Sequence, residues 1–236
     1  MKQHHRLGAL VLVLVPIVAL LVGVAMSPAV GVSRVTIVAP TTSLGEAVRQ
    51  QMRVPAQASM LFYPVNHVTD QVKRCFRVKD VAVDRVSPHE LLVTVTARQP
   101  FAALLEGDTC TILSRDGICL YRQAAPPPKF PIMVGMTTAP STLGAQVDPE
   151  RMQWALEVLA GATKVGLQDG LQVDLSQVHH ITVKTSNGVQ GVLGNVNHLA
   201  RKMAIVGRVV EQLRSQGKQP KRVDVSTPET PIWTVS

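Results

Sequence analysis

The sequence predicts an α+β protein with a single N-terminal transmembrane helix: first a strand-helix-helix-strand-strand unit, then a mixed, mainly antiparallel β domain with two helices. Three observations carry that expectation. An uncharged run fills positions 7–26, opening on Leu7 and closing on Met26. Valines alternate with polar residues in short stretches along the rest of the chain, and amphipathic helical periods interrupt those stretches at four places.

The run 7–26 holds twenty residues. At 1.5 Å per residue it spans a hydrocarbon core of roughly 30 Å. Lys2, His4, His5 and Arg6 precede it, whereas 27–33 carry no basic side chain. By the positive-inside rule the N-terminus is then cytoplasmic. The expected layout is a tail at 1–6, an anchor at 7–28 and the bulk of the chain outside the cytoplasmic membrane. A cleaved signal peptide is the competing account. Its apolar region would be unusually long, and Pro28 obstructs a cut after Ser27.

Aromatic residues make up 3% of the chain, so its cores are expected to be aliphatic. Valine-rich segments favour strands. The net charge of +8 gathers at Lys73, Arg74, Arg77 and Lys79, then at Arg201, Lys202, Arg208, Arg214, Lys218, Lys221 and Arg222. With that part of the chain outside the membrane, nucleic acid is not the expected partner. Anionic head groups, acidic polymers or an acidic protein segment remain, beside the plain alternative of solvated helix faces.

Val35 and Ile37 alternate with Arg34 and Thr36, marking a strand that ends at Pro40. Ser43 and Glu46 have capping-box spacing, with Leu44, Ala47, Val48 and Met52 behind them at helical period. A second helix is expected from Asn66, with Val68, Val72, Cys75 and Phe76 on one face. Val81 and Val83, a turn at 87–90, then Leu91, Val93 and Val95 make a hairpin with one apolar face. Two helices on a three-stranded sheet follow, leaving edges open to strand addition.

From Phe101 the texture becomes a meander, with strands at 101–105, 109–113 and 118–121. The proline-rich segment 124–131 is extended. Asp148, Pro149 and Glu150 supply an N-cap, a proline at the first helical position and an acidic first turn. The helix they start runs to about Ala162. Strands are expected at 171–175, 181–185 and 189–193, the last two joined through Asn187-Gly188. A long helix carries Leu199, Met203, Val206, Val210 and Leu213, and strands at 223–225 and 232–235 close the chain. No internal repeat stands out.

The chemistry of an enzyme is not written in this pattern. His179 and His180 are adjacent in or beside a strand and point to opposite faces, which suits no single ion. Asp174, Ser176 and His179 lack a nucleophile-elbow context. Gly188, Gly191 and Gly194 lack the lysine-serine pair of a phosphate loop. Cys75, Cys110 and Cys119 match no metal-ligand spacing. A bridge between Cys110 and Cys119 stays open, although a hairpin turning at Asp116-Gly117 does not set them opposite. Unpaired thiols are the expectation. No catalytic, metal or cofactor site is assigned.

Arg85, Pro88, Leu91, Val93, Val95, Arg98, Pro100 and Ala102 form an arginine, a proline, an alternating strand and a closing arginine-x-proline followed by a small residue. Met60-Leu61-Phe62 precedes the second helix, Asp116-Gly117 turns the hairpin 113–120, and Phe130-Pro131 leads to Gly135. Leu193-Gly194 with Lys202, and Val223-Asp224-Val225, complete a pattern that resembles the FtsQ/DivIB family of bacterial cell-division proteins. Met60, Ala97, Ser226 and Thr227 depart from it, where the family often has an asparagine before Leu-Phe, a glutamate before the arginine, and an arginine and aromatic after the last valine.

The resemblance implies a POTRA domain at 32–100 and an FtsQ-type β domain at 101–236. It implies a non-enzymatic hub at the division septum that binds FtsB/DivIC-like and FtsL-like proteins and links early ring proteins to septal wall synthesis. The alternative is another POTRA-bearing, membrane-tethered binding or transport component. The expected contact combines Val223, Val225, Ile232 and Trp233 with a basic face of Arg201, Lys202 and Arg208. The lipid bilayer is met through 7–26; nucleic acid and small-molecule substrates are not expected.

Overall fold

The computed structural model describes residues 34–53, 64–87, 89–136 and 142–235, together with Pro16 and Gly23, both helical. The expected tail and, apart from those two positions, the anchor at 7–28 lie outside the described residues, as do Met60-Leu61-Phe62 and Pro88. Among the described residues no helix is long and apolar enough to cross a membrane. The chain divides into two compact units, Met1–Arg98 and Gln99–Ser236.

In the first unit the elements run β1 (Arg34–Val38), α1 (Thr42–Gln51), α2 (Val65–Lys73), β2 (Val78–Ser87) and β3 (Glu90–Ala97). The sheet order is β1-β3-β2, with β1 parallel and β2 antiparallel to the central β3. Along β3, Leu91, Val93 and Val95 are buried while Thr94 and Thr96 are exposed, as a period of two requires. Leu44 and Val48 of α1 and Val68 and Val72 of α2 close over Val93 and Val95. Each such side chain contributes roughly 1.5–3 kcal/mol on burial.

Two local expectations need correction. The N-cap of α1 is Thr41, not Ser43: its extended backbone lets the hydroxyl accept the Leu44 N–H at 3.4 Å, and Ser43 already lies inside the helix. The helix α2 stops at Lys73, so Cys75 and Phe76 lie beyond it. Cys75 is still buried, because the chain turns back at once through Val78 N–H to Cys75 C=O at 2.9 Å. Arg98 closes this corner. Its Nε donates to the Phe76 carbonyl and its backbone N–H to the Arg77 carbonyl, both at 2.9 Å. Burial lowers the affinity of its guanidinium for a proton.

In the second unit the strands are β4 (Pro100–Glu106), β5 (Thr109–Ser114), β6 (Cys119–Gln123), β7 (Ile132–Val134), β8 (Gln172–Asp174), β9 (Ile181–Lys184), β10 (Gln190–Gly194), β11 (Pro220–Asp224) and β12 (Ile232–Val235). The helices are α3 (Pro149–Thr163) and α4 (Leu199–Ser215). Among the described residues they build one mixed sheet in the order β12-β11-β10-β9-β8-β7-β4-β5-β6. Asp148 caps α3 as expected, accepting the N–H groups of Glu150 and Arg151.

Strand β7 was not expected, yet it joins the meander to the rest by pairing in parallel with both β4 and β8. Three residues between Pro131 and Gly135 display too little of a period to be read. The apolar sides of α3 and α4 pack with Met133, Val173, Val183, Leu193 and Val223 in one large core. On the opposite face, Phe130 and Leu105 pack against a smaller cluster of Ala103, Cys110 and Ile112.

A local repeat is visible in space. The two crossovers β7-α3-β8 and β10-α4-β11 each end on Val-Asp-x-Ser, at 173–176 and 223–226. In each, the aspartate Oδ1 accepts the serine N–H, at 2.9 Å from Ser176 and 3.0 Å from Ser226. Each serine packs against a glycine of positive φ, Gly135 (71°) or Gly194 (72°), that ends the paired parallel strand. A Cβ on Gly135 would stand 2.4 Å from the Ser176 nitrogen. The cysteines are free and buried; Cys110 lies opposite Gln123 and Cys119 opposite Leu113, so no bridge joins them.

Candidate functional site

Among the described residues, strand β12 is the terminal edge of the long sheet, paired on one side only, with β11. Natural edges are usually blunted by charge, proline or a bulge. Here Ile232 is 70% exposed on one face, and Trp233 48% and Val235 43% on the other, apolar side chains on main chain that has an open hydrogen-bonding side. Thr234 is the polar member of the strand and stands opposite Arg222. Such an edge takes an added strand through main-chain bonds, with the side chains supplying contact area.

The next strand in is fixed from within. Val223 and Val225 are fully buried, and the Val225 N–H donates to the Val192 carbonyl at 2.8 Å. Their side chains belong to the core, so what they bring to the expected contact is the placement of the edge. Between them, Asp224 accepts both the Ser226 N–H at 3.0 Å and the Ser226 hydroxyl at 2.7 Å. Burial raises the Asp224 carboxyl, but the two Ser226 bonds, with Arg222 and His180 nearby, outweigh it and hold it below its usual range. The turn that sends the chain from β11 to β12 is therefore anchored on a charged group.

The basic residues of α4 separate by helical phase. Leu199, Met203, Val206, Val210 and Leu213 face the core, and Arg201 and Arg208, seven residues apart, lie exposed on the other side. Lys202 does not join them. It is only 2% exposed, and its ammonium donates to the Asn195 carbonyl at 3.1 Å and the Asn195 Oδ1 at 2.8 Å. Burial lowers its pKa from the ordinary lysine value. Lys202 is thus a tether between α4 and the loop after β10, legible from its spacing of three from Leu199.

Of the seven expected contact residues, the structure presents Ile232, Trp233, Arg201 and Arg208 on the surface and takes Val223, Val225 and Lys202 inside. Val235 is exposed on the same strand as Trp233 and two residues from it, so it shares that face. Elsewhere, Asp174 turns toward Ser176 as part of a backbone turn. Among the described residues no cluster of histidine, cysteine and carboxylate is arranged to hold a metal ion.

The chain is 27% identical over 187 residues to the cell division protein FtsQ of Mycobacteroides abscessus, a match covering 79% of this chain and 56% of that protein. The match is a distant one, and it points to the same FtsQ/DivIB family that the sequence motifs resemble. The chain spans about half the length of the curated relative it matches. No family model matches it.

Proposed function

We propose that the chain is a non-enzymatic scaffold of bacterial cell division, tethered to the cytoplasmic membrane at the septum. In this reading 1–6 is a cytoplasmic tail, 7–28 the anchor, 32–100 a POTRA domain and 101–236 the partner-binding β domain. The partners are FtsB/DivIC-like and FtsL-like proteins. One of them adds a strand to β12 and lays acidic side chains toward Arg201 and Arg208, linking early ring proteins to septal wall synthesis.

The observation that carries the proposal is the apolar, single-paired edge of β12, in a chain related to a named division protein. A solvated edge with no partner is expected to be charged. The exposed arginines of α4 add attraction for an acidic segment. The test is made in cells that naturally carry the gene: a fluorescent full-chain fusion is imaged while the native copy is depleted. Midcell bands and filamentous cells are the expected result; uniform membrane labelling with normal division overturns it.

A further inference from the structure

The long sheet has a second surface with a different character. Away from α3 and α4, the β4–β5 end is covered by the Phe130 cluster, but across β8 to β11 the face opens into a trough of about 540 Å³. Gln172, Asp174, Thr182, Lys184, Gln190 and Lys221 line it.

The strand register arranges these groups. Gln172 and Gln190 both stand opposite Lys184 in neighbouring strands, so carboxamide, ammonium and carboxamide form one row. With strands about 4.8 Å apart the row is roughly 10 Å long. Asp174 opposite Thr182 makes a second row, and Lys221 lies on β11 at the far end. One carboxylate oxygen of Asp174 is taken by the Ser176 N–H. Among the described residues, the side chains of Gln172, Thr182, Lys184, Gln190 and Lys221 make no hydrogen bond or ion pair.

That combination is selective. A carboxamide offers one acceptor and two donors, the complement of a peptide group, which a row of lysines alone would not provide. Two ammonium groups against one partly used carboxylate call for a ligand with excess negative charge. Among the described residues, none that lines the trough carries an aromatic ring on which a sugar or base would stack. An extended peptide rises about 3.3 Å per residue, so three residues cover the row and two more bring a carboxylate toward Lys221.

We infer that this trough binds an extended acidic peptide segment, with carboxylates on Lys184 and Lys221 and peptide groups on Gln172 and Gln190. The segment lies across the strands rather than beside them, and the site is independent of the β12 edge. A flat anionic bilayer fits a recessed row poorly, because Gln172, Asp174 and Thr182 are half-buried.

The test is fluorescence anisotropy of a labelled Ala-Glu-Ala-Glu-Ala-Glu peptide with the full chain in neutral detergent micelles. Saturable binding is expected, with the Gln-for-Glu version of the peptide failing to bind. Lys184→Glu with Lys221→Glu should weaken binding at least tenfold, and Gln172→Ala with Gln190→Ala about threefold or more. Ile232→Asp with Trp233→Asp should leave it unchanged, which separates this site from the division reading. Circular dichroism matching the parent confirms that each variant is folded. Unchanged affinity in the charge-reversed protein overturns the proposal. So does an equal loss in the edge variant, or displacement of the peptide by inorganic phosphate or phosphatidylglycerol vesicles at equal charge.

Discussion

Single residues in this protein fix the geometry of strand ends. Gly135 combines a φ of 71° with a Cβ position 2.4 Å from backbone, whereas Gly188, at φ 81°, has open space around it. An L residue in the left-handed region costs roughly 1–2 kcal/mol. Gly188→Ala is expected to cost about that amount, and Gly135→Ala clearly more, in chemical denaturation of the two variants side by side. Asp224 offers a second case. Its folded-state pKa lies below the unfolded value, so its contribution to stability is present above the ordinary aspartate range and is lost as pH falls through the folded value. Ser226→Ala removes the 2.7 Å hydroxyl bond. It should cost about 0.5–1.5 kcal/mol at neutral pH, with the gap from the parent narrowing as pH falls below the ordinary aspartate range and the carboxylate protonates. Urea melts at neutral pH and in an acid series read this directly. Lys202 shows how charge misleads at this scale. Its basicity places it with Arg201 and Arg208, but its helical phase and the Asn195 acceptors place it inside.

At the scale of elements, the helices and long strands were legible because each repeats its pattern often enough to show a period. Leu199 to Leu213 spans four turns of one apolar stripe, and Leu91, Val93 and Val95 span a buried face of β3. What escaped were features made by contact. Strand β7 has three residues, and only its partners β4 and β8 define it as part of a sheet. The Val-Asp-x-Ser repeat is four residues long, and becomes a repeat only when both copies are seen to end a parallel crossover. The candidate edge was half legible: the β-favouring residues 232–235 read as a strand, but which strand lies at the sheet's edge depends on the whole pairing order. The exposed stripe of α4 makes its own prediction. Arg201→Glu with Arg208→Glu should weaken binding of an FtsB-like segment tenfold or more, steeply dependent on salt, while thermal stability stays within about 0.5 kcal/mol of the parent. Calorimetric titration at two ionic strengths checks both halves.

At the scale of the whole molecule, each unit brings its own core, and the second offers two unlike surfaces on one sheet. The β12 edge is apolar and open to main-chain pairing; the trough across β8 to β11 is polar and cationic. The β7 and β8 pair links the meander to the strands that carry both surfaces, so the edge is held by a continuous sheet rather than by a free hairpin. This explains how an exposed strand of four residues keeps a defined place. The proposed division role rests on the edge itself, and that can be asked of a living cell. Cells depleted of the native protein are supplied with the full chain carrying Ile232→Asp and Trp233→Asp, and their length is measured beside cells given the parent chain. The account predicts filaments with the variant at normal abundance in the membrane, and normal length with the parent; normal division supported by the variant would contradict it.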